Sequence, residues 1–163
     1  MTRELLIMRH AKSAWETGAA SDFERPLATR GRQAAPRTGQ WLRENDLVPD
    51  HIVSSPARRA RQTAERVCPE LGIDSSSVTW DPRIYEATAP TLLQVLADCP
   101  AEARRVLLIG HNPGLENLLL YLCPETPVPD SGKILPTAAV ARVALPDDWQ
   151  ELESGTGEML DLL

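Results

Sequence analysis

Two histidines follow short apolar runs. Leu5-Leu6-Ile7-Met8 leads into Arg9-His10-Ala11-Lys12-Ser13, and Val106-Leu107-Leu108-Ile109 leads into Gly110-His111-Asn112-Pro113-Gly114. A neutral imidazole carries a lone pair able to attack phosphorus. Arg9, beside His10, offers a planar fork of donors that fits phosphate oxygens. Its charge also disfavours the imidazolium, so the nucleophilic neutral ring is populated near pH 7. A third segment, Ser54-Ser55-Pro56-Ala57-Arg58-Arg59-Ala60-Arg61-Gln62-Thr63, places three arginines in the opening turns of a helix. Arginine there opposes the helix dipole, and a bound anion would account for it. The plain alternative is a basic surface helix with Glu65 and Glu70 as partners.

These residues need a scaffold that gathers them. Four apolar residues ending at a turn signal read as a buried parallel strand. Reactive side chains in open α/β sheets collect at the carboxyl ends of such strands. His10 and His111 are therefore expected to face each other across one crevice. The chain has only three histidines, so two in equivalent positions is informative.

The remaining pattern alternates strands with helices. Residues 4–9 read as the first strand, and residues 11–28 as irregular, broken by Gly18 and Pro26. Thr29 is expected to cap a helix over 30–45. Residues 51–54 form a strand. A helix over 57–71 carries the clearest apolar stripe, Ala60, Ala64, Val67, Cys68 and Leu71, and ends at Gly72. Residues 78–80 read as a short strand, and Pro90 as the first residue of a third helix. After the strand over 105–109, Asn112 is expected to cap a fourth helix with Pro113 at its first position. Residues 123–136 are proline-rich loop. Residues 138–145 read as the last core strand, and 149–152 as an edge strand. The tail from Ser154 has no clear pattern. The expected fold is a three-layer α/β/α sandwich on a mostly parallel sheet, one domain over 1–163.

Composition narrows the partners. With 163 residues, 42% hydrophobic and 25% charged, the chain reads as an ordinary globular domain. A net charge of -6 argues against nucleic acid and anionic membranes. Local arginine clusters (Arg25, Arg30, Arg32 and Arg37; Arg58, Arg59 and Arg61) suit a small anionic site instead. Cys68, Cys99 and Cys123 have no CxxC spacing and read as core residues of a reducing compartment. With no leader pattern and no membrane-length apolar run, the expected location is the cytoplasm. A zinc enzyme is disfavoured, because the chain has no HExxH or CxxC and His51 falls within a strand. The serine-hydrolase elbow and the P-loop are also absent, so neither metal nor cofactor is expected.

The ordered set Leu6-Ile7-Met8-Arg9-His10-Ala11-Lys12-Ser13, Arg25-Pro26-Leu27, Thr29-Arg30-Gly31, Ser54-Ser55-Pro56 to Thr63, Ile109 to Pro113 and Pro136-Thr137-Ala138 resembles the histidine phosphatase superfamily. Within it, the chain resembles the small SixA-like phosphohistidine phosphatases, over about residues 3–145. The resemblance implies a phosphoglycerate mutase-like fold, with His10 as the phosphorylated nucleophile. Arg9, Arg59 and His111 would complete the phosphate pocket, Arg59 being the arginine of the S-x-x-x-R-A-x-x-T pattern counted from Ser55. Lys12, Ser13 and Asn112 are further candidates for phosphate contact. The family's usual Arg-His-Gly is Arg-His-Ala here, as in many SixA-like members. Larger relatives supply a glutamate to protonate the leaving group; Glu86 and Asp22 are the candidates in this chain.

The expected reaction is double displacement on a phosphorylated protein, phosphohistidine above all. A small-metabolite phosphomonoesterase would use the same pocket. A phosphopeptide-binding module without chemistry would use the same arginines but would not need His10. The oligomeric state is left open.

Overall fold

The computed structural model describes residues 3–15 and 17–163. Its six strands form one sheet: β1 (Arg3–Arg9), β2 (His51–Ser54), β3 (Thr79–Trp80), β4 (Arg105–Gly110), β5 (Val140–Leu145) and β6 (Glu158–Leu162). Their order across the sheet is β3-β2-β4-β1-β5-β6. The four strands from β3 to β1 are parallel, and β5 runs antiparallel to both β1 and β6. The helices are α1 (Thr29–Glu44), α2 (Arg58–Leu71), α3 (Ala89–Ala97) and α4 (Gly114–Leu122).

Strand side chains alternate between faces, so a strand covered on both sides must be apolar throughout. β1 shows this directly. Leu5 and Ile7 join the core built with α3 and α4. Leu6 and Met8 join the core built with α1 and α2. β4 divides in the same way, with Val106 and Leu108 on the first face and Leu107 and Ile109 on the second. The expected three-layer sandwich is the observed fold. Cys68, Cys99 and Cys123 are buried free thiols, and burial pushes all three pKa values up.

The helix after β1 and the helix after β4 pack on opposite faces, although β1 and β4 are neighbours. A crevice must open at the carboxyl ends of two such strands. β4 lies between β2 and β1, so three consecutive strand exits converge there. His10 N–H donates to the Gly110 carbonyl at 3.0 Å, and Ser55 N–H donates to the Ile109 carbonyl at 3.0 Å. These bonds carry the ladder one residue past each strand and fix His10 and Ser55 on either side of β4.

Three local expectations differ from the structure. Thr29 is the first helical residue of α1, and Ala28 holds the cap position without a side-chain bond. That start is fixed by tertiary contact: Ala28 N–H donates to the Lys12 carbonyl at 2.9 Å, and a Cβ at Gly31 would run into that same carbonyl. Asn112 does not cap α4, because its side chain is drawn to the Leu135 carbonyl and Pro113 takes the cap position. Residues 149–152 are not a strand. Trp149 is buried in a turn, where its indole N–H donates to the Ala103 carbonyl at 2.8 Å. The edge strand is β6, formed by the tail, in which alternating half-buried and exposed residues pair with β5.

Candidate active site

The loop from Ala11 to Ala28 carries polar groups past the end of β1, and α2 holds it down. Four residues in the first two turns of α2 each take part. Thr63 Oγ1 accepts from Ala11 N–H at 3.0 Å and donates to the Arg59 carbonyl at 2.7 Å. Gln62 Oε1 accepts from Leu27 N–H at 2.9 Å. Arg59 reaches Asp22 and Arg58 reaches the Glu24 carbonyl. This spacing explains why the segment after β2 combines arginines with a half-buried glutamine and a buried threonine. Only part of its charge serves the cleft; part of it anchors backbone.

His10 is 6% exposed, and its Nδ1 lies 2.7 Å from the Ala11 carbonyl. A carbonyl oxygen only accepts, so Nδ1 carries the proton and the lone pair of the neutral ring is on Nε2. The His111 ring centroid is 5.1 Å away. His111 Nε2 is 2.8 Å from Ser55 Oγ, which also accepts from Ala57 N–H. Where the Ser55 hydroxyl donates to Nε2, the His111 proton lies on Nδ1, the tautomer that turns a donor away from Ser55.

Both rings are held neutral. Burial pushes the His10 pKa down to about 4, and Arg59, Arg9 and Arg25 add to the fall while the Ala11 bond opposes it. Burial pushes His111 down to about 3, helped by His10, Arg59 and Arg9. An ordinary imidazole titrates near 6.5. The unfolded chain therefore binds more protons than the folded one between about 4 and 6.5, and stability is lost as pH falls through that window. The urea midpoint is expected to drop between pH 7 and pH 4.5, with the His10 ring silent in an NMR titration until below pH 5. A His10 resonance titrating near 6.5 would contradict this environment.

Asp22 sits among the cations. Its Oδ2 accepts from Tyr85 Oη at 2.6 Å and from Arg59 Nη2 at 3.0 Å, and its Oδ1 accepts from Arg25 Nε at 3.0 Å. Its carbonyl also accepts from Arg59 Nη1 at 2.7 Å. The Tyr85 bond first, and then the two arginines, hold its pKa down to about 2 against the opposing cost of burial. Tyr85 stacks edge-on against His111 at 5.5 Å and lies 5.9 Å from the Arg59 guanidinium. Tyr85 and Ser55 are contacts that sequence reasoning did not single out. The only signal for Tyr85 was its place next to Glu86.

Arg9 is half-buried, and its Nη1 donates to the Leu135 carbonyl at 3.3 Å. Asn112 Nδ2 donates to that carbonyl at 2.9 Å, and this fixes which end of the amide faces it. Among the described residues, the buried side-chain atoms without a partner are Arg9 Nε, Arg59 Nε, His111 Nδ1 and Asn112 Oδ1. All four belong to this one cluster. Orphaned buried donors are costly, and two guanidinium N–H groups together with an imidazole nitrogen match the chemistry of an oxyanion.

An open cleft of about 490 Å³ is lined by Asp22, Arg59, Tyr85, Glu86, Ala87, His111, Asn112, Pro113 and Gly114. Glu86 is exposed on its wall, with its backbone in the left-handed region (φ 54), where a residue with a Cβ is uncommon. Ser13 is brought close but turned aside: it is buried and accepts from Arg25 Nη1 at 3.1 Å. Lys12 is exposed, and its carbonyl braces α1. A cavity of about 600 Å³ between Cys123–Pro127 and Gly155–Met159 has neither imidazole nor guanidinium. No cluster of metal-ligating side chains occurs among the described residues. No helix among them is long and apolar enough to cross a membrane.

Known proteins share this arrangement of sequence and fold. Residues 5–92 match the histidine phosphatase superfamily (branch 1). The phosphohistidine phosphatase SixA of Escherichia coli (strain K12) is 33% identical over 158 residues, covering 94% of this chain and 89% of that protein. An uncharacterized protein of Mycobacterium tuberculosis is 32% identical over 158 residues, covering 94% of this chain and 96% of its own. A solved structure of the protein histidine phosphatase SixA complexed with tungstate aligns with a TM-score of 0.82 at 29% identity. It covers 98% of this chain and 96% of that one. Similarity this extensive, in sequence and in backbone, comes from common descent: the chain belongs to the histidine phosphatase superfamily and is a phosphatase.

Proposed function

We propose that the protein removes phosphate from phosphohistidine on protein substrates, through a covalent phosphohistidine at His10. The observation that carries this reading is the Nδ1 bond from His10 to the Ala11 carbonyl, which leaves the Nε2 lone pair for phosphorus. In the first step Nε2 attacks phosphorus in line. The phosphorus–nitrogen bond of the substrate breaks, and its electron pair returns to the leaving imidazole. Arg9 Nε, Arg59 Nε and His111 Nδ1 donate to the equatorial oxygens as charge spreads over them. In the second step water attacks phosphorus, the bond to Nε2 breaks and inorganic phosphate leaves.

Asp22 and Glu86 then take different roles. A carboxylate with a pKa of about 2, accepting from one hydroxyl and two guanidinium groups, has no proton to give at neutral pH. Asp22 is the strut that orients Arg59. In this reading Glu86, exposed on the cleft wall, hands a proton to the leaving nitrogen and takes one from water. Asn112 Oδ1, an acceptor, suits an N–H of the leaving imidazole.

The openness of the site supports a macromolecular substrate. All four α-helices are used in covering the two faces of the sheet, so none of them covers the cleft. Trapping tests the mechanism. Wild-type protein quenched during turnover of phosphohistidine is expected to carry an acid-labile phosphate, located at His10 by mass spectrometry under neutral conditions. Turnover with no label at His10, or with label elsewhere, would overturn it.

A further inference from the structure

Trp15 is 72% exposed, in a chain whose other large apolar residues are mostly buried. Exposing an indole forfeits apolar burial, and exposed aromatic anchors of this kind mark binding hot spots. Trp15 is also held in place. The Arg25 guanidinium lies 3.8 Å from its ring centroid. Arg25 is itself fixed by three acceptors, Asp22 Oδ1, Ser13 Oγ and the Ala14 carbonyl. Ala14 N–H in turn donates to the Pro26 carbonyl at 2.9 Å. A ring ordered before binding loses little entropy when it is covered.

The stack is continuous with the catalytic cluster. Arg25 lies near enough to His10 to oppose its protonation. Through Asp22 it shares one carboxylate with Arg59 and Tyr85. Trp15 is therefore joined to the catalytic cluster through Arg25 and Asp22 without lining the cleft itself.

We infer that Trp15, backed by Arg25, is the subsite for an apolar or aromatic side chain flanking the phosphorylated residue of a protein substrate. This rests on the phosphatase reading above and adds the feature by which such a substrate is selected. One face of the indole is taken by the guanidinium, and the other is free to cover an apolar group. The cation behind the ring also polarises it, which favours an aromatic group on the free face.

Phosphohistidine peptides test it, each pair identical except for Leu or Trp in place of Ser within three positions of the phosphohistidine. Free phosphohistidine serves as the reference. The wild-type protein is expected to prefer an apolar-flanked peptide by about tenfold in kcat/KM, expressed mainly in KM. Trp15→Ala is expected to erase that preference, and Trp15→Phe to restore most of it. A wild-type protein with no preference at any flanking position overturns the subsite, as does a preference that survives in Trp15→Ala. So does a sugar phosphate turned over better than every peptide. If the wild type turns over neither the peptides nor free phosphohistidine, the phosphohistidine reading falls with it; if only the flanking preference is missing, the subsite alone falls.

Discussion

His10→Ala protein is expected to fold normally and to lose turnover by roughly four orders of magnitude or more, as when a covalent nucleophile is removed from a catalytic unit. The fold should tolerate the change. His10 sits one residue past β1, and its backbone N–H bond to Gly110 does not depend on the ring. Removing it also relieves the cost of burying a ring whose pKa is pushed down to about 4. The urea midpoint at pH 5 should therefore stay level or rise while activity disappears. The measurement is a paired one, single-turnover rates and equilibrium unfolding on the same preparation. Activity within tenfold of wild type would remove His10 from the mechanism, whatever the stability showed.

The second large effect falls on Arg59. Arg59→Ala is expected to cost about a hundredfold to a thousandfold in kcat, the usual loss when one preorganised donor to a developing oxyanion is removed. Two consequences combine here. The donor itself is gone, and Asp22 loses two of the bonds that hold it, keeping Tyr85 and Arg25. Arg59→Lys should recover little, because an ammonium cannot span Asp22 and still present a second planar N–H to the cleft. Tungstate or vanadate inhibition read alongside kcat separates these losses. Inhibitor affinity should fall with kcat, since both need the same donor. If kcat is retained in Arg59→Ala, the arginine serves only to fasten Asp22.

Arg59 also shows how far a linear reading reaches. The arginines after β2 stand out because they oppose the helix dipole, and the anion reading followed from that. In the structure only Arg59 meets the cleft. Arg58 is spent on the Glu24 carbonyl, and Arg61 is exposed. The same ambiguity applied to the two carboxylates. Glu86 and Asp22 both stand as candidate proton donors in the sequence, because nothing there places three donors around one of them. Tyr85, more than sixty positions from Asp22, supplies the shortest of those bonds at 2.6 Å.

The helix caps failed for a related reason. Thr29 and Asn112 have the side chains that cap helices well, yet neither does so here. A cap bond contributes about 1 kcal/mol, which a tertiary hydrogen bond can match. The Leu135 carbonyl outcompetes the α4 terminus for the Asn112 amide, and it lies in a proline-rich loop whose path no periodicity describes. The tail was unreadable in the same way. β6 alternates only half-buried and exposed residues, so its pattern is faint until β5 is there to pair with it.

What the chain determines alone is local and repetitive. Continuous apolar runs specify strands covered on both faces, the stripe on α2 specifies a buried helix side, and the ends of β1 and β4 specify where reactive residues emerge. Those signals are enforced by burial, which acts on every residue of an element and therefore shows in the pattern. The strand order, with β4 between β2 and β1, was decided only by the folded chain, and with it the meeting of His10, His111 and Arg59. So were the His10 tautomer and the three donors gathered around Asp22. Each of these depends on one or two directional bonds between distant segments, and a single directional bond leaves no periodic trace in a sequence.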